Sequence, residues 1–210
     1  MGLYRKYALP RLIELAMKSP EMSRLRAALI PRANGDVLEV GIGSGLNLPF
    51  YSADVRRIYG VDPSAELVRL ASTRKAAVSV EVDLLHQSAE KELPLQSGTI
   101  DFVVITWTLC SIPNAADALA EIRRVLKRHG RVIFIEHGRA PETAVARWQD
   151  RLTPVWKHVA GGCHLNRKID ELLIAAGFHI PEMRTSYLPG PRTMTYTYQG
   201  IAAPREASSR

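Results

Sequence analysis

The stretch VLEVGIGSGLNLPFY, residues 37–51, joins an apolar run to a glycine cluster and then to a new element. Gly41, Gly43 and Gly45 form the pattern G-x-G-x-G directly after the apolar run, and Glu39 stands two residues before it. Glycines at such a place permit a tight turn and let a ligand come close to the backbone. The stretch therefore predicts a ligand-binding loop after a buried strand.

Outward from this loop, apolar strands alternate with amphipathic helices. The predicted strands cover residues 36–41, 57–62, 78–85, 99–106 and 131–137. The predicted helices between them cover residues 64–76 and 115–130, and the second is expected to end at Gly130. Because the strand over 99–106 is the most hydrophobic, it should lie at the centre. The alternation predicts an α/β fold with a mostly parallel, doubly wound sheet.

The alternation stops after the fifth strand. A helix is predicted over residues 143–159, where Pro154 should kink or split it, and a loop and a second helix follow over 160–167 and 168–177. Two final apolar runs, 178–188 and 193–203, are predicted to form an antiparallel hairpin at the sheet edge.

This pattern predicts one main domain with additions at its ends. Residues 1–34 should form two short helices, the second starting at Ser19-Pro20 with a serine cap and a first-turn proline. Residues 35–203 form the main domain, in which 143–176 is a helical lid. The tail 204–210 is the segment expected to be loose.

Composition excludes several classes of protein. The chain has 210 residues, 46% of them hydrophobic, but contains no apolar run of about 18 residues that would span a membrane. Its N-terminus has no apolar region of a secretion signal. Two cysteines make no disulfide framework, and paired metal ligands are missing. The sequence therefore predicts a cytoplasmic protein with reduced thiols and no metal.

The formal charge of +7 is concentrated near the start of the chain. Residues 1–34 carry seven Lys or Arg against two Glu. One interpretation is a solvated helix face; the other is peripheral contact with an anionic membrane, which would place the protein at the inner membrane surface. No basic stripe interleaved with aromatic residues is present, so nucleic acid is not an expected partner.

A carboxylate after the second strand indicates a nucleoside ligand. Asp62 lies 21 residues after Gly41, where it can accept hydrogen bonds from both hydroxyls of a ribose. A nicotinamide site follows the same logic. The G-x-G-x-G spacing, the preceding Glu39, and the polar turn between strands three and four instead resemble the seven-stranded class I S-adenosylmethionine (SAM) methyltransferases.

That resemblance implies SAM as the methyl donor, S-adenosylhomocysteine as its product, and a set of cofactor-binding residues. The set expected along the methionine and ribose is Glu39, Gly41, Gly43, Gly45, Asn47 and Asp62. The set expected around the adenine is Pro63, Ser64, Ser88, Ala89 and Glu90. Thr106 and Trp107 follow the fourth strand, where donor and acceptor should meet.

A narrower resemblance comes from the second half of the chain. TWTLCSI (106–112), IEHGRAPE (135–142) and RWQDRLTPVWKHVAGGCHLNR (147–167) are similar to the thiol S-methyltransferases known as methyltransferase-like 7 proteins. The resemblance implies methyl transfer to hydrogen sulfide or small alkyl thiols. Animal members begin with a hydrophobic anchor, whereas this chain has two basic helices.

Other activities stay open beside this one. Soluble bacterial enzymes of similar pattern methylate phospholipid head-group amines or quinone precursors. A domain that binds SAM without catalysing transfer is a further alternative. In each enzymatic case the acceptor is a small molecule.

Three residues in the second half of the chain are candidates for a catalytic role. His137, at the end of strand five, would accept a thiol proton or stabilise a thiolate as imidazolium, or would only bond the backbone. Cys163 would sit beside the acceptor sulfur, or be a small buried hydrophobe. His164 is a second candidate base. The expected acceptor pocket consists of Trp107, Cys110, Trp156 and Arg167, with Trp148 nearby.

Overall fold

The fold is organised by a sheet of seven strands in which the glycine-rich loop follows the first strand. The computed structural model describes residues 9–205. In sheet order the strands are β3 (Glu81–Leu85), β2 (Val55–Val61), β1 (Gly35–Val40), β4 (Ile100–Thr106), β5 (Leu126–His137), β7 (Tyr196–Pro204) and β6 (Phe178–Tyr187). The strands β1 to β5 run parallel. The predicted doubly wound α/β sheet, with β4 at its centre, is confirmed.

Seven α-helices within residues 9–205 accompany this sheet, and the buried residues form two hydrophobic clusters. The helices are α1 (Leu9–Met17), α2 (Pro20–Leu29), α3 (Ala65–Lys75), α4 (Ala115–Val125), α5 (Thr143–Val159), α6 (Ile169–Ala175) and the short α7 (Arg192–Thr195). Ser19 caps α2 as predicted, because its hydroxyl accepts a hydrogen bond from the Met22 N–H at 3.3 Å.

The end of α4 differs from the prediction. The helix stops at Val125, not at Gly130, and residues 126–130 are extended and continuous with β5. Leu126 pairs with Ile100 of β4, while the Thr99 N–H donates to the Val125 carbonyl at 2.9 Å and ends the helix. Leu126 is buried in either conformation, so helical periodicity could not reveal the change.

Pro154 does not divide α5. The helix runs unbroken from Thr143 to Val159, so the alternative in which the proline splits it is wrong. Gln149, which is fully buried, accepts from the Ala140 N–H at 2.9 Å and donates to the Gly138 carbonyl at 3.1 Å. These hydrogen bonds fix the helix to the segment after β5 on the N-terminal side of the proline.

The C-terminal hairpin closes the sheet. β7 runs antiparallel to β5, and β6 runs antiparallel to β7 as the edge strand, so the predicted antiparallel hairpin is confirmed. The register shifts between His179 and Glu182 around Pro181, as an edge strand permits. Within residues 9–205, no helix combines the length and apolar character needed to cross a membrane.

Candidate active site

A cavity of about 700 Å³ opens at the carboxyl ends of β1, β2, β4 and β5. The strand order reverses between β1 and β4, and ligands of open α/β sheets bind at such a switch point. The cavity has two sides. The loop side consists of residues 41–47, 62–64 and 88–90; the sulfur side consists of Cys110, His137 and Cys163 with the tryptophans beside them.

The three glycines of the loop share a backbone conformation but have different surroundings. All have left-handed backbones, with φ of +70° at Gly41, +56° at Gly43 and +79° at Gly45. A Cβ at Gly41 would collide with the Thr108 side chain, whereas a Cβ at Gly43 would meet nothing nearer than 3.9 Å. Gly43 therefore leaves open space against the backbone for a ligand.

Gly45 does not line the cavity, which corrects the expectation that it contacts the cofactor. A Cβ there would come within 2.9 Å of the Leu48 side chain and 3.4 Å of the Ala71 Cα. The glycine thus allows the loop to pack closely on α3, which carries Ala71.

Asp62 provides the buried carboxylate of the loop side. Its side chain accepts from the Gly43 N–H at 3.0 Å on one oxygen and from the Ser64 N–H at 2.8 Å on the other. Burial raises the pKa of Asp62, and these two backbone hydrogen bonds act against that rise. Each oxygen keeps a free lone pair, and Asp62, Pro63 and Ser64 all line the cavity.

Glu39 lies behind the loop rather than on its surface, so the expectation of direct cofactor contact is corrected. Its carboxylate accepts from Asn47 Nδ2 at 2.9 Å and from the Tyr51 hydroxyl at 2.8 Å. Burial raises the pKa of Glu39 to about 7. Asn47 also donates to Thr106 Oγ1 at 3.0 Å, and it is Asn47 and Thr106 that line the cavity.

Arg26 of α2 is a cavity residue that the sequence did not single out. It is only 3% exposed, and its guanidinium lies 4.9 Å from the centre of the Trp107 ring. In the sequence it counted as one cation of the basic N-terminal face. Its position four residues after Met22 and three before Leu29, on the apolar face of α2, was the signal that it is buried.

The turn after β3 forms the far wall of the loop side. Ser88, Ala89 and Glu90 all line the cavity. The Ser88 hydroxyl donates to Glu90 at 2.7 Å, and the other Glu90 oxygen accepts from the Asn114 N–H at 2.7 Å. The turn is thereby tied to the start of α4.

The segment after β4 is held by a buried carboxylate. Glu136, which is fully buried, accepts from the backbone N–H groups of Thr108, Leu109 and Cys110 at 2.8, 2.9 and 3.0 Å. Burial raises the pKa of Glu136 to about 7, and the three donors act against that rise. Trp107, with φ of 49°, is the one non-glycine with positive φ among residues 9–205, so this turn is a strained element at the cavity.

Two thiols and an imidazole meet on the sulfur side. The Sγ atoms of Cys110 and Cys163 are 3.7 Å apart, and Cys163 Sγ is 3.7 Å from His137 Nδ1. The hydrogen bond from Cys110, followed by that from His137, lowers the pKa of the Cys163 thiol. The same contact with Cys163, together with burial, raises the pKa of Cys110 well above its usual range.

His137 is 6% exposed and lines the cavity. Its Nε2 is buried and has no hydrogen-bond partner in the part of the chain that the structure describes. A buried polar atom normally finds a partner. The ring therefore keeps one buried nitrogen whose hydrogen bond the described residues do not satisfy.

Arg167, expected in the acceptor pocket, and His164, expected as a second candidate base, do not line the cavity, which corrects both expectations. Arg167 Nη1 donates to the carbonyls of Leu109 and Ile112, each at 2.6 Å, so this arginine braces the segment after β4. His164 Nδ1 lies 3.3 Å from the Cys110 carbonyl, and the His164 N–H donates to the same oxygen at 2.9 Å. Both side chains contact backbone carbonyls of the segment after β4.

The tryptophans divide between cavity and surface. Trp107 and Trp156 line the cavity. Trp148 is 56% exposed and stacks with Arg151, whose guanidinium lies 5.3 Å from the ring centre, so its expected position at the cleft is wrong. Across residues 9–205, no group of three His, Cys, Asp or Glu side chains is arranged to hold a metal ion.

Comparisons with protein families and with solved structures identify this fold. Residues 38–134 match the family model described as a methyltransferase domain. Among solved structures, YcgJ of Bacillus subtilis has a TM-score of 0.67 at 18% identity and covers 88% of this chain and 98% of that one. A SAM-dependent methyltransferase from Methanosarcina mazei has a TM-score of 0.65 at 20% identity, with 89% and 97% covered. These likenesses define the fold as that of the class I methyltransferases.

Curated relatives give the nearer relationship. Human thiol S-methyltransferase TMT1A is 32% identical over 79% of this chain and 69% of its own length. The phosphatidylethanolamine N-methyltransferase of Cereibacter sphaeroides is 33% identical over 61% of this chain and 67% of its own length. The chain belongs to the class I SAM-dependent methyltransferases, and SAM is its methyl donor.

The match covers less than two thirds of the length of some of these relatives. The chain spans 64% of the length of rat thiol S-methyltransferase TMT1B, at 32% identity, and 57% of the human TMT1B, at 34% identity.

Proposed function

We propose that the protein transfers a methyl group from SAM to a small thiol or to hydrogen sulfide. The observation that carries the proposal is His137, a cavity residue whose Nε2 lacks a partner and whose Nδ1 lies 3.7 Å from Cys163 Sγ. The relatives named thiol S-methyltransferase, at 32–34% identity, support the same acceptor class.

The loop side fits the donor. Asp62 has lone pairs left for the two ribose hydroxyls, and the open space at Gly43 lets the nucleoside approach the backbone. Ser64 and Ala89 would border the adenine. When bound, SAM supplies an electrophilic methyl group on a sulfonium.

On the sulfur side, His137 would manage the acceptor proton. The thiolate is the reactive form of a thiol, and the His137 ring would accept the proton that the thiol loses. The ring then becomes an imidazolium whose Nδ1–H faces Cys163. Since the pKa of Cys163 is lowered, a thiolate at Cys163 compensates the positive ring, and Cys163 acts as a positioning residue.

The remaining wall would exclude water and align the acceptor. Trp107, Ile112, Trp156 and Leu165 give the cavity apolar surface. Transfer to sulfur needs the nucleophile held about 3–3.5 Å from the reacting carbon and in line with the leaving group. Hydrogen sulfide is already substantially ionised near neutral pH, so for that acceptor alignment together with one histidine suffices.

A second candidate is N-methylation of a phospholipid head group. α1 and α5 both border the cavity and both expose apolar side chains, with Leu15 72% and Val155 68% exposed. The Cereibacter sphaeroides relative bears the name of such an enzyme. This candidate includes peripheral contact with a membrane, whereas C-methylation of a quinone precursor is supported only by a 27% identical relative from Campylobacter jejuni.

The test is the rate of S-adenosylhomocysteine release by the purified chain with sulfide, an alkanethiol or phosphatidylethanolamine vesicles as acceptor. We expect turnover on sulfide or the thiol, reduced about 10²-fold in His137→Gln and kept in His179→Gln, which changes an exposed histidine on β6. Turnover on vesicles alone would establish the second candidate, and turnover on thiols undiminished in His137→Gln would remove the role given to His137.

A further inference from the structure

Arg26 carries a buried positive charge that the described chain does not neutralise. Its guanidinium donates from Nε to Asn47 Oδ1 at 2.9 Å and from Nη1 to the Met17 carbonyl at 2.8 Å. Both acceptors are uncharged. Within residues 9–205, no acidic side chain forms an ion pair with it, and burial lowers its pKa to about 10.

Glu39 acts on Arg26 through its charge, but the two side chains form no ion pair. Its negative charge raises the pKa of Arg26, but by less than burial lowers it. Its two oxygens accept from Asn47 and Tyr51. A buried charge without a partner is costly, so the arrangement calls for an anion from outside the protein.

The unused part of the guanidinium belongs to the cavity. Nη1 and Nε are engaged, and Nη2 makes no hydrogen bond to the residues that the structure describes. Arg26 lines the cavity together with Met17, Asn47 and Trp107. A buried arginine with a free terminal nitrogen at the cavity wall is suited to a carboxylate, because hydrogen bonds between ions are stronger than those between neutral groups.

The glycine-rich loop connects this cation to the ribose end of the cavity. At Gly43 the loop donates to the buried carboxylate of Asp62, and four residues later Asn47 accepts from Arg26. One loop therefore contacts both Asp62, which can accept hydrogen bonds from hydroxyls, and Arg26, which can donate hydrogen bonds to an anion. SAM has the matching pattern, with ribose hydroxyls in its nucleoside and a carboxylate in its methionine part.

We infer that Arg26 binds the carboxylate of the methionine part of SAM. The α1–α2 segment then takes part in donor binding rather than only covering the domain. Arg26 also holds the Met17 carbonyl at the end of α1, and Arg74 of α3 bonds both Glu14 of α1 and the Ser44 carbonyl of the loop. Donor binding should therefore order the N-terminal helices over the cavity.

The test compares two ligands that differ only in this carboxylate. Dissociation constants are measured by calorimetry for S-adenosylhomocysteine and for its decarboxylated analogue, S-adenosyl-3-thiopropylamine, using wild type, Arg26→Gln and Arg24→Gln. Arg24 is an exposed arginine on the same helix. Neither ligand has a transferable methyl group, so the result is independent of which acceptor the protein uses.

We expect wild type and Arg24→Gln to bind S-adenosylhomocysteine at least about tenfold more tightly than the analogue. Arg26→Gln should lose that preference while its affinity for the analogue changes less than threefold. Equal weakening for both ligands would show that Arg26 only supports the loop, and an unchanged preference would place the carboxylate elsewhere; either result overturns the inference.

A second measurement covers the case in which Arg26→Gln does not fold. Hydrogen–deuterium exchange of wild-type residues 20–29 should slow more with S-adenosylhomocysteine than with saturating decarboxylated analogue. Equal protection by the two ligands would overturn the inference.

Discussion

The loop side and the sulfur side of the cavity are built in different ways. On the loop side, backbone N–H groups of Gly43 and Ser64 fix one carboxylate, and the residues come from short segments directly after strands. On the sulfur side, three side chains from distant segments converge: Cys110 after β4, His137 at the end of β5 and Cys163 after α5. The loop side is therefore specified locally, and the sulfur side depends on packing of the whole domain.

Because of this difference, the loop side indicates which methyl donor binds, and the sulfur side indicates which acceptor is methylated. A backbone-built site binds one ligand shape, which fits the shared donor of a large class. A side-chain-built site can change acceptor when one residue changes, so the acceptor must be tested at its own residues.

The largest effect should follow loss of the loop-side carboxylate. Asp62→Ala removes the acceptor for two ribose hydroxyls and leaves the N–H groups of Gly43 and Ser64 without their partner. We expect SAM affinity to fall about 10³-fold, measured by calorimetry. Asp62→Asn, which keeps one carbonyl oxygen, should lose less, and near-wild-type affinity in Asp62→Ala would contradict the assignment of the ribose site.

On the sulfur side, His137→Gln should reduce the turnover number with a thiol by about 10²-fold, because a positioned base is lost. The affinity for SAM should stay within about threefold, since His137 is not on the loop side. Steady-state kinetics and calorimetry on the same preparation check both. A large loss of SAM affinity would show that the two sides are not separable.

A third prediction concerns pH and the support behind the loop. Burial raises the pKa of Glu39 from about 4.5 to about 7, so between these values the folded protein holds a proton that the unfolded chain releases. The free energy of unfolding therefore falls as pH rises from about 4.5 to about 7.

Glu39→Gln removes this titration. The loss of stability of wild type between pH 5 and 7 should exceed that of the variant by about 1–3 kcal/mol, measured by urea unfolding. Glu171→Gln, at an exposed carboxylate of α6, is the control and should match wild type. Identical slopes in wild type and Glu39→Gln would mean that Glu39 is ionised throughout.

The smallest effect concerns the thiols. Because the hydrogen bond from Cys110 lowers the pKa of Cys163 and the same contact raises that of Cys110, iodoacetamide at pH 6 should alkylate Cys163 at least about tenfold faster. Peptide mass spectrometry separates the two. Faster labelling of Cys110 would reverse the charge assignment within the pair.

The same contrast explains what the sequence could predict. The parallel strands, the loop glycines and the carboxylate at Asp62 follow from local periodicity and spacing, and the structure places these residues together. Arg167 and His164 could not be located, because their partners are backbone groups of residues 109–112, more than 50 positions away. Arg26 was counted as a surface cation, because only its place on the apolar face of α2 distinguishes it from Arg24.

The most direct test of thiol methylation is a competition between acceptors. The purified chain is given SAM with a ¹³C-labelled methyl group, together with sulfide and phosphatidylethanolamine vesicles in the same reaction, and products are identified by NMR. We expect the label on sulfur, as methanethiol, and not on the head-group nitrogen. Label recovered on nitrogen, with none on sulfur, would contradict it.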